Sequence, residues 1–402
     1  MKNMCRILVI VLVMSEARGE DGFMRVDGEH LMLNGSPFYG NGFNAYWLMY
    51  VASDPSQRSK ISSAFEQATN HSLLIARTWA FRDAGDSPLQ SSPGSYNQNM
   101  FQGLDYVISE AGKHNIKLIL SLVDNYNYTG GKQQYVKWAR NEGQNISSDD
   151  DFFTNSLVKA YYKNHIKAVL TRENTISGIA YKDDPTIMAW ELMNEPRCPT
   201  DPSGNTIQAW IEEMASYVKS IDKKHLLEVG LEGFYGHKHH KKNPHFQVGT
   251  DFLRNNQIAE IDFATVHSYP DQWLTGESDE EQLLFLDEWL SSHIKDAETK
   301  IQKPVLFAEF GKSSKDPGYR TSVRDEVMGA VYAAIYSSAR RGGAAAGGLF
   351  WQLLSEGTES LGDGYGIVLS RSPSSTATLI QDQSNKLNQV RLMYKDHHFT
   401  NG

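Results

Sequence analysis

The sequence predicts an α/β protein of the (β/α)8 TIM-barrel class, with extended loops on the C-terminal face of the strands. Three observations predict it. Short apolar runs without helical spacing alternate with amphipathic stretches, the pattern of parallel strands joined by crossover helices. The runs number eight, enough to close a sheet on itself. Several of them stop abruptly in polar or charged residues, as strands do at the mouth of a barrel.

The chain opens with Lys2 and Arg6 ahead of Ile7-Leu8-Val9-Ile10-Val11-Leu12-Val13-Met14, an apolar stretch too short to span a bilayer. Ser15 and Ala17 follow at cleavage-like spacing, so residues 1–17 resemble a secretory signal peptide. Residues 18–402 then form a single barrel domain, one charge more negative than the whole chain. Loss of Cys5 with the signal leaves Cys198 as the last cysteine, and no intrachain disulfide is expected.

Residues 24–33, with the turn-like Asp27-Gly28-Glu29, read as a hairpin lid over the closed end of the barrel. Strands are expected at 38–44, 73–79, 117–122, 185–190, 226–230, 263–267, 303–309 and 347–352. Helices are expected at 55–70, 99–114, 150–171, 206–221, 279–297 and 322–341. The 402 residues exceed the roughly 250 typical of the fold. The surplus falls mainly after strands, at 81–97, 124–149 and 230–252, which predicts an open cleft for an extended ligand. No repeat, low-complexity tract or composition break argues for a second domain.

Hydrophobic content of 40% and charged content of 22% are those of a soluble globular protein. A formal net charge of −9 argues against nucleic acid or an anionic membrane as partner. Aromatic residues reach 11%, which serves a core and also suits stacking on the apolar faces of sugar rings. Asn34, Asn70, Asn127 and Asn145 each begin an N-glycosylation triplet, and Asn145 stands in the most polar surroundings.

Two strand ends carry the chemistry. The run from Pro185 to Trp190 stops in Glu191-Leu192-Met193-Asn194-Glu195-Pro196, and Lys303-Pro304-Val305-Leu306-Phe307-Ala308 stops in Glu309-Phe310-Gly311. Glu195 alone reads equally as a loop acid exposed by Pro196. Two strand-end glutamates far apart in sequence can face each other across one barrel mouth. Retaining glycoside hydrolysis needs such a pair, one acid for the leaving oxygen and one carboxylate to attack the anomeric carbon.

The string from Trp190 to Pro196, together with Val305 to Gly311, resembles glycoside hydrolase family five. Extended to Cys198 and followed by Asp201-Pro202-Ser203-Gly204, it is similar to the plant-type endo-β-1,4-mannanases of that family. The resemblance runs from about residue 38 to about residue 373. It implies that Glu195 is the acid/base, with a raised pKa, and that Glu309 is the nucleophile, kept ionised. It implies that Arg77 contacts the nucleophile, where the residue alone reads equally as a structural salt bridge. Asn194 would donate to the sugar hydroxyl beside the anomeric carbon, although before a glutamate it is more often a turn former. His267 and Tyr269 point the same way along an extended segment and would orient the two glutamates, the alternative for His267 being a buried core histidine. Trp351 and Trp79, then Trp47 and Trp273, are the candidate sugar platforms, and each reads also as core.

The tract His237-Lys238-His239-His240-Lys241-Lys242-Asn243-Pro244-His245 is a solvated loop rather than a metal site, because interspersed lysines repel a cation. It departs from relatives of this type in being shorter and more basic, and residues 344–348 depart in being longer. No metal and no cofactor are expected. The expected partner is a β-mannan polysaccharide met outside the cell, in the wall, by a monomeric chain, with no nucleic acid and no membrane. The alternatives are a β-1,4-glucanase or a mannan transglycosylase with the same two glutamates, and, from another class, a non-catalytic carbohydrate-binding barrel. A metal-dependent barrel enzyme would need grouped strand-end carboxylates that the sequence does not offer.

Overall fold

The computed structural model describes residues 21–236, 241–244, 247–371 and 374–399. The signal-like segment 1–17 lies outside these residues, as do His237, Lys238, His239, His240 and His245 of the histidine tract. Eight parallel strands carry the fold: β1 (Gly40–Asn44), β2 (Ile75–Trp79), β3 (Lys117–Ser121), β4 (Ile187–Glu191), β5 (Leu226–Glu228), β6 (Ala264–Ser268), β7 (Val305–Phe310) and β8 (Ala345–Phe350). They pair in the order β5-β4-β3-β2-β1-β8-β7-β6. At the remaining seam, Asp262 N–H donates to the Leu227 carbonyl (2.8 Å) and His267 N–H to the Glu232 carbonyl (2.9 Å), so the sheet curls into a nearly closed barrel. Apart from Lys117, every strand residue is buried. Helices cover the outer face of a parallel sheet, which is why the strands read as continuous apolar runs without alternation.

The hairpin forms as expected from Met24–Asp27 and His30–Leu33 and gains a third strand, Ser36–Pro37. Met24, Leu31 and Phe38 pack on Ile75, Met188, Leu226 and Leu306, at or beside the N-terminal ends of their strands. The hairpin therefore plugs the closed end, opposite the candidate residues.

Helices fall where the apolar spacing puts them, at Arg58–Asn70, Gln98–Lys113, Asn205–Ile221, Asp279–Asp296 and Thr321–Arg340. Three differences have local causes. The helix expected over 150–171 is broken into a 3-10 turn, Asp149–Phe153, and a helix, Ser156–Leu170. Between them Asn155 Oδ1 accepts from Leu157 N (3.0 Å) and Val158 N (3.1 Å), a side-chain cap that starts a new helix. Gly131–Asn141 is a helix inside a stretch that reads as loop, and it buries Tyr135, Val136, Trp138 and Ala139. Ser375–Phe399 forms a long final helix whose buried stripe of Ala377, Ile380, Leu387 and Val390 is interrupted by Gln383 and Ser384. That polar interruption has a partner, since Asn41 Nδ2 on β1 donates to Ser384 Oγ at 3.1 Å.

Of the stretch 344–348, residues 345–348 belong to β8. Small residues are required there: a Cβ on Gly347 would lie 1.9 Å from the Gly40 carbonyl oxygen. Cys198 is buried and free. Asn34, Asn70, Asn127 and Asn145 are all exposed. Among the described residues no helix is long and apolar enough to cross a membrane.

The segment beyond β4 continues to pair on both sides. Met193 N donates to the Val229 carbonyl (3.1 Å), Asn194 N to Val123 (2.8 Å) and Glu195 N to Gly230 (2.9 Å). Gly230 has φ +90°, and a Cβ there would stand 1.8 Å from the Met193 carbonyl oxygen. Gly230→Ala is therefore expected to destabilise the protein by at least about 2 kcal/mol, because the forbidden φ and the clash act together. Urea denaturation measures this, and unchanged stability would mean that the β4–β5 approach is not tight.

Candidate active site

Arg77, at the C-terminal half of β2, is wholly buried and serves four acceptors. Its Nε and Nη2 grip Glu191 of β4 in a fork (2.5 and 2.7 Å), Nη1 donates to Glu309 of β7 (2.5 Å) and to Asn44 Oδ1 of β1 (3.0 Å), and Nη2 donates to Asn194 Oδ1 (2.7 Å). A guanidinium is the one side chain whose fixed fork can satisfy planar carboxylates on several strands at once. Burial acts against its charge, and Glu191 and Glu309 more than restore it, so its pKa lies above the ordinary value. Glu228, beside Glu191, is pushed far up by burial and by that neighbour's charge.

The second group surrounds Glu309. Tyr269 Oη donates to Glu309 Oε2 at 2.7 Å. His267 Nδ1 lies 2.6 Å from Glu195 Oε1 and 3.6 Å from Glu309 Oε2. A bulge between Val266 and His267 sets this arrangement, because it brings His267 into register with Glu309 in the β6–β7 ladder. Glu195 itself has φ +50°, a left-handed conformation that an L residue adopts at a cost of roughly 1–2 kcal/mol. Its backbone N–H, which donates to the Gly230 carbonyl, holds it there.

The protonation pattern differs from the expectation. Burial pushes the Glu195 carboxyl up, but the hydrogen bond and charge of His267, with Arg197 and Tyr126, outweigh it and hold it at about 2. Burial lowers the His267 imidazole, while Glu309 and Glu195 more than compensate and raise it above 6.5. Glu309 is raised by burial, against the pull of His267 and Arg77. The hydrogen bond between His267 Nδ1 and Glu195 Oε1 thus favours the ionised carboxylate, while His267 Nε2 is buried without a partner among the described residues. Tyr269 keeps its proton, raised by burial and by Glu309. Two more acids at this mouth, Asp124 and Glu232, rise to about 7, each chiefly by burial and with Glu195 adding.

These groups open into a cavity of about 690 Å³. Glu195, Glu309, Asn194, Tyr269, Trp79 and Trp351 line it, as the sequence predicts, and Arg77 and His267 stand directly behind them. Trp351 stacks on Tyr46 (6.0 Å between centroids, 11° between planes) and donates to Asp363 at 2.6 Å. Trp273 also lines the cavity. Trp47 does not: it is buried in the core with its indole N–H on the Leu353 carbonyl. Asn194 Nδ2 donates to Asp124 Oδ1 (3.0 Å), which orients its amide and leaves one N–H for a ligand.

Sequence reasoning missed Glu191, Glu228, Asp124, Tyr126, Arg197 and Glu232. Glu191 and Glu228 carry a signal in retrospect, as charges inside strands buried on both faces. Arg197 forks onto Glu232 (2.8 and 2.6 Å), and nothing in their spacing announces it. Among the described residues, Glu195, His267 and Glu309 are the grouping whose ligand atoms, within 4.8 Å of one another, have the spacing a cation would need.

Residues 21–358 match the family described as glycoside hydrolase family 5 β-mannosidase-like. The chain is 60% identical over 383 residues to mannan endo-1,4-beta-mannosidase 7 of Arabidopsis thaliana, covering 94% of this chain and 89% of that protein. It is 59% identical over 384 residues to mannan endo-1,4-beta-mannosidase 1 of Oryza sativa subsp. japonica, covering 93% and 89%. Among solved structures it resembles the hyperthermostable endo-1,4-beta-D-mannanase of Thermotoga petrophila RKU-1, with a TM-score of 0.75 and 32% identity over 87% of this chain and 99% of that one. The endo-1,4-beta-mannanase of Rhizomucor miehei gives 0.77 and 31%, over 91% and 99%.

Arg77→Met strands two buried carboxylates and is expected to lower stability by about 3–5 kcal/mol, the usual consequence of removing one partner of a buried ion pair. Chemical denaturation checks it, and a loss below about 1 kcal/mol would mean that Glu191 and Glu309 take up protons freely. The His267 proton predicts a pH dependence of definite sign. A raised imidazole adds stability that is complete below about 6.5 and is lost as pH rises through its folded value. The stability difference between the native protein and His267→Asn should therefore shrink from pH 6 to alkaline pH. A constant difference of urea midpoints across that range would remove the proton from His267.

Proposed function

The chain belongs to the glycoside hydrolase family 5 β-mannosidase-like proteins, and from that premise we propose that it is an endo-hydrolase of β-1,4-mannans that retains anomeric configuration. One observation carries the mechanism. An oxygen of Glu195 and an oxygen of Glu309 lie within 4.8 Å of each other, in the range of retaining pairs at about 5–5.5 Å and well short of the roughly 6.5–9.5 Å of inverting ones. No water fits between Glu309 and an anomeric carbon seated there, so the carboxylate is the nucleophile.

The same geometry moves the proton. In the first step Glu309 attacks the anomeric carbon, the bond from that carbon to the glycosidic oxygen breaks, and the departing oxygen takes its proton from the Glu195 carboxyl, which His267 hydrogen-bonds. Forming the ester removes the Glu309 charge beside the Glu195–His267 pair. In the second step water attacks the anomeric carbon, its proton passes to the Glu195 carboxylate, and the bond to Glu309 breaks and returns the charge to that carboxylate. Arg77 and Tyr269 bind one oxygen each of Glu309 and fix the attacking carboxylate. Trp351 and Trp79 are the sugar platforms, and Asn194 takes the hydroxyl beside the anomeric carbon.

The preference for mannan over glucan rests on the names of the relatives at 60% and 59% identity. Internal cutting rests on an open cleft built from long loops after the strands. The same reading makes residues 1–17 a secretory signal and 18–402 one catalytic domain, secreted as a monomer to the wall and glycosylated at some of its four exposed triplets.

Glu309→Gln is expected to abolish formation of the glycosyl-enzyme. Glu195→Ala should slow substrates with poor leaving groups most, and added azide should rescue its second step by replacing the water it no longer activates. NMR of the first product is the direct test. A β anomer from a β-linked substrate is expected, and an α anomer would remove Glu309 from the role of nucleophile.

A further inference from the structure

Among the aromatic residues that line the cavity, some neighbour the partners of Glu309 and others stand beside Glu195. Trp79 and Trp351 belong to the Glu309 side: Arg77, bonded to Glu309, lies 4.8 Å from the centre of the Trp79 ring, and Trp351 N donates to the Phe310 carbonyl. Tyr126 belongs to the Glu195 side, where its hydroxyl hydrogen-bonds with that carboxylate and Arg197 lies 5.8 Å from its ring centre. Tyr128 follows on the same loop. Its ring centre is 6.0 Å from that of Tyr126, with the planes 40° apart. It lines the cavity, yet it is 87% exposed, the most exposed large apolar side chain among the described residues.

An aromatic ring this open gains little from packing within the free protein. The loop beneath it is nevertheless held in one shape. The Thr129 carbonyl accepts from Asp83 N (2.7 Å) and Ala84 N (2.9 Å), and Lys132 N donates to the Asp124 carbonyl (2.9 Å). Gly131 has φ +56°, and a Cβ there would lie 2.2 Å from the Tyr126 carbonyl oxygen, so the loop curls as tightly as its backbone allows. The ring is therefore presented on a fixed shelf.

We propose that Tyr128 is a sugar platform on the leaving-group side of the cleft, stacking on a unit of the polymer beyond the one beside Tyr126. The inference rests on the functional reading above, because the leaving-group side is defined by Glu195 as the acid. The separation of the two tyrosines is comparable with that of consecutive rings in a β-1,4-linked chain. Their apolar faces match the C–H faces of such rings. A sugar held there is also placed to act as acceptor, so this residue biases where along a chain the cut falls.

The test compares the native protein with Tyr128→Ala and Tyr128→Phe on mannohexaose and mannotetraose, with cleavage positions read by mass spectrometry in heavy-oxygen water. Tyr128→Ala should raise KM for mannohexaose roughly tenfold while keeping kcat, and should shift cuts away from frames that place most sugars on the leaving side. Mannotetraose should respond less, and Tyr128→Phe should behave as native because the ring face remains. A native protein that cleaves neither oligosaccharide removes the functional reading itself. A native protein that cleaves both, with Tyr128→Ala unchanged in KM and cutting frame, overturns the platform. So does an equal loss of kcat at both lengths, which would make the ring a structural element.

Discussion

The guanidinium of Arg77 is the constraint on which the barrel mouth depends. It is wholly buried, and it joins β2 to β1 through Asn44, to β4 through Glu191 and to β7 through Glu309. Taking a cation and two carboxylates out of water is unfavourable unless every donor and lone pair finds a partner. That requirement fixes the relative heights of the four strands, since a slip of one residue would turn each of these side chains outward. The Asn194 side-chain oxygen completes the set and ties in the segment that carries Glu195. Arg77 therefore holds both glutamates at one separation, although it touches only one of them.

Charge balance at the mouth follows from the same arrangement. Glu191 neutralises much of Arg77, so Glu309 is not held far below its ordinary range and burial keeps it raised. His267 Nδ1 bears unequally on the two glutamates, at 2.6 Å from Glu195 and 3.6 Å from Glu309. A carboxylic acid with a raised pKa is one way to store the proton that leaving-group departure needs. A carboxylate hydrogen-bonded to an imidazole, as Glu195 is to His267, is another arrangement of the same groups.

The strand count, the two strand-end glutamates and most of the residues around them are legible in the sequence because each follows from a local rule. Strands buried on both faces produce uninterrupted apolar runs, and their ends produce abrupt polar stops at Asn194-Glu195-Pro196 and Glu309-Phe310-Gly311. What was not legible depends on partners distant in the chain. Trp47 looks like a platform until Leu353 is seen to accept its N–H. The final helix is masked because Ser384 has its partner on Asn41, more than three hundred residues earlier, so the apolar stripe lapses where the helix packs. The helix Gly131–Asn141 is masked by the polar residues at its start, and Asn155 breaks a helix that spacing alone would run through. The proton position on Glu195 and His267 depends on a one-residue bulge, and apolar spacing does not encode a bulge.

The residues at the mouth divide by what holds them. Arg77, Glu191, His267 and Glu309 stand on strands, and Glu195 stands on a segment hydrogen-bonded to strand neighbours on both sides. Tyr126, Tyr128, Arg197, Glu232 and Trp273 stand on the connections beyond strand ends. Groups that must keep a fixed separation are anchored in the part of the fold least able to move, and groups that meet a long chain at varied points are carried where length and composition are free to change. Changes in the connections therefore alter which frame of a polymer is seated while the glutamate separation stays constant. The left-handed backbone at Glu195 marks the boundary between the two sets. It is where the chain leaves the sheet, and the Glu195–Gly230 hydrogen bond keeps that turn on the sheet's side.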